Sequence, residues 1–409
     1  MDYTYMSFFL PDTSISQNGS SFVDDKFGVQ AKYTFVHLHG ELIVGVDSIF
    51  QQGVRDLKLD ISWSGNISMG NILSLTGYQH FINTQVNAKK WSNSIYALEK
   101  YNFTKDFSPL AGIRYELTWY GGERKLYNEM QIAMTPFSFP ISPYSLHKPI
   151  SDLRHNYALE LTPRYAFEFG DLYAKYERGF RSPNPDNLTS RSGSGSKSDY
   201  MDTNVKSETF DTFELGSKFF IDEYAMFFLT GYYTLTHDEI YTLGSAHTSD
   251  GFHVGNYQLT QRAGVEIACE QNFLDESLSF LQSFTYIDAR ILESGVTEIP
   301  NHSLIPYVSN YKATLGANYR FAKGWNLWIS SSFFGTQKDT AQNTIPAYNL
   351  TDIGIDFKYE DFSLSFGVKN VADSLYYSFY NKDKSDEVTG YAFLIAEGRS
   401  YFVNTRYQF

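Results

Sequence analysis

The sequence predicts an all-β protein, a transmembrane antiparallel up-and-down β-barrel of about 16 strands. Three observations point there. Polar and apolar residues alternate with a period of two through most of the 409 residues, the spacing that sends successive side chains to opposite faces of a strand. Many of these segments have the roughly 9–11 residues that a tilted strand needs to cross a bilayer. The connections between them alternate short and long, as in barrels with tight turns at one rim and large loops at the other. A sandwich or propeller would carry comparable loops at both ends.

In chain order the segments begin with "DYTYMSFF", "KFGVQAKYTF", "ELIVGVDSIF", "SIYALEKYNF" and "LAGIRYELTW". "YALELTPRYAF", "LYAKYERGF", "TFELGSKFF", "YAMFFLTGYYTL" and "QLTQRAGVEIACEQNF" follow. The last are "LSFLQSFTYID", "YKATLGANYRF", "NLWISSSFFG", "LTDIGIDFKY", "FSLSFGVKN" and the terminal strand. In "FSLSFGVK", Phe362, Leu364, Phe366 and Val368 share one face and Ser363, Ser365, Gly367 and Lys369 the other. The long connections fall at about residues 11–25, 51–94, 120–155, 181–209, 237–256, 288–310, 335–348 and 376–398. The polar faces carry charge in strand after strand and would make a poor soluble core. The expectation is therefore apolar faces against lipid and polar faces around a lumen, in a sheet without open edges, because an unpaired backbone group in hydrocarbon costs several kcal/mol. A large soluble β-protein is the alternative.

Composition narrows the function. Aromatics supply 17% of the chain, with 32 Tyr and 34 Phe; both suit strands and membrane interfaces. A net charge of −13 argues against a nucleic-acid partner, since phosphate recognition needs clustered Lys and Arg. Cys269 stands alone, which excludes an intrachain disulfide and reads as a packed small residue. No run of ~18 apolar residues is present, so no transmembrane helix is expected. Met1–Ser14 has no basic n-region and does not read as a signal peptide.

Six segments carry a family resemblance. "YERGFRSPNPDNL" resembles the "sxGFRaP" segment of TonB-dependent outer-membrane receptors, on Gly179, Phe180, Arg181 and Pro183. "NVKSETFDTFELG" resembles their "NpxLkPEtsxsyElG", on Glu208, Glu214 and Gly216. "AGVEI" is similar to "xGvEl", and "IPYVSNYKATLGANYRF" to "iPxvPxhkxxlgxxYrf", with Ser309 in place of the second proline. "FSLSFGVKNVADSLYY" resembles "xsLxlgvxNlfDkxYy", on Asn370 and Asp373, and "AEGRSYFVNTRYQF" the terminal "pGRtxyxxxxyxF", on Gly398 and Arg399. They occur in family order. Structural roles are the expectation for all of these residues: Gly and Pro at strand ends, Asn370 and Asp373 in a turn, Arg399 in the wall.

The resemblance implies a receptor that takes a metal complex such as a ferric siderophore at the cell surface, on energy from the TonB complex. It implies a 22-strand barrel, of which about 16 strands are expected over residues 1–409. The plug, the opening strands and the TonB-contacting box are not found in the sequence, so contact with TonB is expected only through a plug outside it. It also implies that the terminal strand, with Tyr407 and Phe409, is read by the barrel-assembly machinery. Outer-membrane lipid and a metal-chelate ligand are the other expected partners, and no cofactor is.

No enzyme spacing of Ser, His and carboxylates appears, and "RSGSGSKS" lacks the Gly-Lys-Ser/Thr of a P-loop. His237, Asp238, His247 and His253 surround one long connection; a metal site is conceivable there and a solvated loop is the blander reading. Residues 183–204 hold no His, which lowers a haem reading. Tyr200, Tyr241, His247, His253, Tyr376 and Tyr377, on the long connections, are the candidate ligand contacts. A passive porin-like channel of about 16 strands is the alternative function.

Overall fold

The computed structural model describes residues 13–69, 73–135, 138–192, 199–222, 224–243, 253–295, 299–382 and 391–408. Its first strands are β1 (Thr13–His37), β2 (Gly40–Met69), β3 (Leu73–Tyr101), β4 (Leu110–Thr135), β5 (Ser138–Thr162), β6 (Arg164–Phe167) and β7 (Gly170–Arg181). Then come β8 (Thr189–Ser192), β9 (Asp199–Asp202), β10 (Glu208–Ile221), β11 (Ala225–Leu243), β12 (His253–Phe273), β13 (Leu278–Glu293), β14 (Ser303–Leu304) and β15 (Tyr311–Ala322). The last are β16 (Trp325–Phe334), β17 (Gln337–Lys338), β18 (Thr344–Ile345), β19 (Tyr348–Tyr359), β20 (Phe362–Lys369), β21 (Tyr377–Lys382), β22 (Tyr391–Ile395) and β23 (Ser400–Tyr407).

Seventeen of these form one sheet in which every pairing is antiparallel between chain neighbours. β6 continues β5 past Pro163, which has no N–H for the ladder; Leu161 faces Tyr176 and Arg164 faces Tyr173 in unbroken register. With β6 counted in β5 and the two-residue β14 set aside, fifteen crossings remain. They are the expected segments from "KFGVQAKYTF" onward; "DYTYMSFF" lies outside the described residues. The short turns, at residues 38–39, 102–109, 168–169, 222–224, 274–277, 323–324 and 360–361, all lie at one rim. Among the described residues, β1 pairs only with β2 and β23 only with β20.

Register places the apolar positions in continuous rows on the outer face. One row runs Val403, Phe366, Ile355, Leu327, Tyr319, Leu278 and Phe273, each opposite the next. Val403 is 63% exposed, and a continuous outward row of such residues is what a lipid-facing belt requires. At the short-turn rim the belt ends in aromatic groups: Tyr101, Phe103 and Phe107; Phe167, Phe169 and Phe219; Phe321, Trp325 and Phe357. At the other rim, on β2–β5, it ends in the row Phe50, Trp91, Trp119 and Leu153. Rings at both water interfaces bracket a membrane span.

Beyond that row the structure corrects the expected loops. Residues 51–69, 73–94, 120–135 and 138–155 are strand, and β1 begins at Thr13, inside the connection expected at 11–25. The ladders of β2–β5 run on past the membrane as ribbons, and their apolar face reverses. The outer face becomes Asp56, Gln85, Lys125 and His147 in one row. The inner face becomes Gly53, Ala88, Gly122 and Ile150 in one row, and Leu57, Thr84, Leu126 and Leu146 in another. The reason is the change of outer solvent from lipid to water. The alternation persists in "LKLDISW", with its phase inverted.

Within the span the inner face is polar and wired. Arg114 bridges Asp47 at 2.8 Å and Glu116 at 3.6 Å, and Lys175 bridges Glu177 at 2.5 Å. Tyr173 donates to Glu214 at 2.5 Å. Six inward glycines each face an inward aromatic across the ladder: Gly45 and Tyr96, Gly179 and Phe210, Gly216 and Tyr173, Gly264 and Tyr232, Gly354 and Trp328, Gly367 and Phe402. In every pair a Cβ on the glycine would strike the ring. The rings lie flat on the wall because glycine leaves them room.

Candidate ligand-binding mouth

The described arms of the long connection between β7 and β10, residues 182–192 and 199–207, turn inward and lie against the reversed apolar face of the ribbons. Its 3-10 turn, Pro185–Leu188, brings Leu188 into a cluster with Val86, Ala88, Tyr120 and Ile150. Tyr120 is fully buried and donates its hydroxyl to the Pro183 carbonyl at 2.9 Å. Arg124 donates to the Asp186 carbonyl at 2.6 Å and Arg154 to the Val205 carbonyl at 2.8 Å. Asn156 donates to Ser182 Oγ at 3.0 Å, Lys148 pairs with Asp202 at 2.9 Å, and Arg191 donates to the Tyr144 hydroxyl at 2.8 Å. Burial pushes the Arg124 guanidinium below its ordinary range, opposed by Tyr200 and Asp186.

Between this connection and β1–β3 lies a cavity of about 510 Å³. Phe22, Asp24, Gln51, Gly53 and Arg55 line one side, Val86 and Ala88 the floor, and Asn184, Pro185 and Asp186 the other side. Gln51 donates its amide to both Asp24 oxygens, at 2.8 and 3.0 Å. The cavity thus offers one guanidinium, two carboxylates and an apolar floor. Its size and mixed lining suit a small organic ligand or chelate. Sequence reasoning missed Asp24, Arg55 and Asp186; the signal was that β2 runs on past Phe50 in unbroken register, which keeps Arg55 on the inner face with Asp47 and Gly53.

Of the candidate contacts named from sequence, the described tyrosines fall in separate clusters. Tyr200 is 5% exposed, with Arg124 over its ring at 5.7 Å, so it packs the inturned connection. Tyr241 stacks on Tyr257 at 4.3 Å, beside a cluster of Ile291, Ile299 and Ile305. Tyr376 stacks on Tyr348 at 4.9 Å, which stacks on Phe334 at 4.7 Å. Tyr377 lies 5.3 Å from Tyr380. His253 opens β12, and His247 lies outside the described residues. Asp238 pairs with Lys206 at 3.0 Å. Among the described residues no group of three or more His, Cys, Asp or Glu is placed to hold a metal.

Four of the family-motif residues, Arg181, Glu208, Asn370 and Asp373, make hydrogen bonds to backbone. Arg181 pairs with Glu208 at 2.8 Å and also donates to the Ile240 carbonyl, while the Ile240 N–H donates to Glu208. Phe180 faces Thr209 across the β7–β10 ladder. Asn370, at φ 49°, accepts from the Ser374 N–H at 2.8 Å and donates to its carbonyl at 3.0 Å. Asp373 accepts from the Arg399 N–H at 2.8 Å, and its Oδ1 lies where a Cβ on Gly398 would press at 3.1 Å. Tyr407, opposite Phe362, sits at the short-turn rim; Phe409 lies outside the described residues. Cys269 is buried in β12.

A family model described as the TonB-dependent receptor-like β-barrel matches residues 1–371. Among solved structures, the ferric yersiniabactin uptake receptor FyuA of Yersinia pestis superposes with a TM-score of 0.61 at 15% identity, over 97% of this chain and 60% of that one. The ferric-catecholate import receptor Fiu of E. coli K12 gives 0.60 at 16% identity, over 96% and 65%. The copper transporter OprC gives 0.55 at 10%, over 94% and 74%. The chain therefore spans less than two thirds of the length of the first two. At these identities the likeness is one of fold.

Proposed function

The chain belongs to the TonB-dependent receptor β-barrel family of the outer membrane, and from that premise we propose that it forms the wall and mouth of a receptor for active uptake of a metal chelate such as a ferric siderophore. The family match over residues 1–371 carries this reading. It also weighs against a passive porin. The family is one of transport receptors rather than enzymes. The mouth cavity supports the chelate assignment: Arg55 suits an anionic group, and Phe22, Val86 and Ala88 suit the ligand's apolar body. In this reading the TonB complex supplies energy through a plug held inside the wall, against the charged inner face of Asp47, Arg114 and Glu116.

The test is accumulation of radioactive ferric siderophores, with copper chelates in parallel, by cells carrying or lacking the intact locus, with TonB active or deleted. Loss of uptake of one chelate in both deletions is expected, together with a higher concentration for half-maximal uptake in Arg55→Ala. Unchanged uptake of every chelate on deleting the locus would overturn the proposal.

A further inference from the structure

We infer that the connection between β7 and β10, through its arms at residues 182–192 and 199–207, is a fixed inner wall that narrows the mouth, and not a loop that swings over ligand from outside. The reversed apolar face needs cover. Once β2–β5 leave the membrane, Val86, Ala88, Leu126 and Ile150 turn inward, where an uncovered lumen would wet them. Leu188 covers the middle of that face.

Polar anchors then hold the connection from two strands. Tyr120 and Arg124 of β4 and Arg154 of β5 each donate to a carbonyl of the connection, and Asn156 of β5 reaches Ser182. The two arms are joined to each other: Thr203 donates its hydroxyl to the Asn187 carbonyl at 2.5 Å and its N–H to the Leu188 carbonyl at 3.0 Å. β8 and β9 add a ladder, Thr189 opposite Asp202 and Arg191 opposite Tyr200. Pro183, Leu188, Thr189, Tyr200 and Val205 are all buried. A surface loop shows mobile, solvated backbone instead. The wall bounds the cavity through Asn184, Pro185 and Asp186, so it sets how wide a ligand can enter. This inference rests on inner-face geometry and stands whether or not the chelate reading holds.

The experiment is cysteine labelling on whole cells with a membrane-impermeant maleimide, in a Cys269→Ser background. Leu188→Cys is expected to label at least about tenfold more slowly than Lys206→Cys, which is exposed on the same connection. Adding Arg124→Ala with Arg154→Ala is expected to raise the Leu188→Cys rate to within about twofold of the Lys206→Cys rate. Equal rates at the two positions with the anchors intact would overturn the inference, as would a slow rate unchanged by their removal. If the double arginine variant fails to assemble, Tyr120→Phe, which removes one hydroxyl, replaces it. Acceleration of Leu188→Cys labelling supports the wall, and no acceleration refutes it.

Discussion

Glycine inside a strand ordinarily weakens it, because it gains no packing and loses the most freedom on folding. The six inward glycines here do a different job, since each gives a cross-strand ring a flat place to lie. Gly216 shows the chemistry at one residue. Tyr173 lies over it and reaches Glu214 with its hydroxyl. Gly216→Ala should therefore force the ring off and cost about 1–3 kcal/mol, read as a lower urea midpoint of the refolded barrel. Tyr173→Ala added to that variant should recover part of the loss. A Gly216→Ala midpoint equal to wild type would show that the ring is not held there. Four of these glycines, Gly179, Gly216, Gly264 and Gly367, were legible as motif members from sequence. That each of the six pairs with one aromatic was not, because it depends on register between strands.

At the scale of elements, the outer face reads as two solvents in sequence. Ile95 faces lipid and is 61% exposed, so Ile95→Lys should cost about 2–4 kcal/mol if it lies near the midplane. Gln85→Lys, on the same strand and face but beyond Trp91, should be nearly neutral. Comparing urea midpoints and outer-membrane levels of the two variants checks this; equal losses would place the membrane boundary elsewhere. The crossings themselves were legible, because lipid outside and a polar lumen inside impose strict alternation. The ribbons of β2–β5 were not, since beyond Trp91 the alternation changes phase and resembles a polar loop with scattered apolar residues. The same inversion hid the mouth: Arg55 and Tyr120 turn inward only when the ribbon is known. The terminal strand makes a further prediction. Deleting Phe409 should lower the amount of heat-modifiable barrel in the outer membrane more than it changes which chelate is taken up; normal levels would remove the proposed role of this strand in assembly.

At the scale of the whole molecule, the wall is an antiparallel meander whose polar inner face, apolar belt and inturned mouth each answer to a different solvent. Its two outermost described members, β1 and β23, have a relation that follows from direction alone. Each ends at the short-turn rim, so they run the same way. In a ring where every neighbour runs opposite to the next, the number of crossings is even, and the described crossings number fifteen. Among the described crossings, β1 and β23 are thus not each other's mates in such a ring. Ala31→Cys with Val403→Cys, both at belt positions, should give no disulfide across that seam under oxidation in a Cys269→Ser background. A crosslink formed in high yield would mean that the meander closes on itself with one parallel joint.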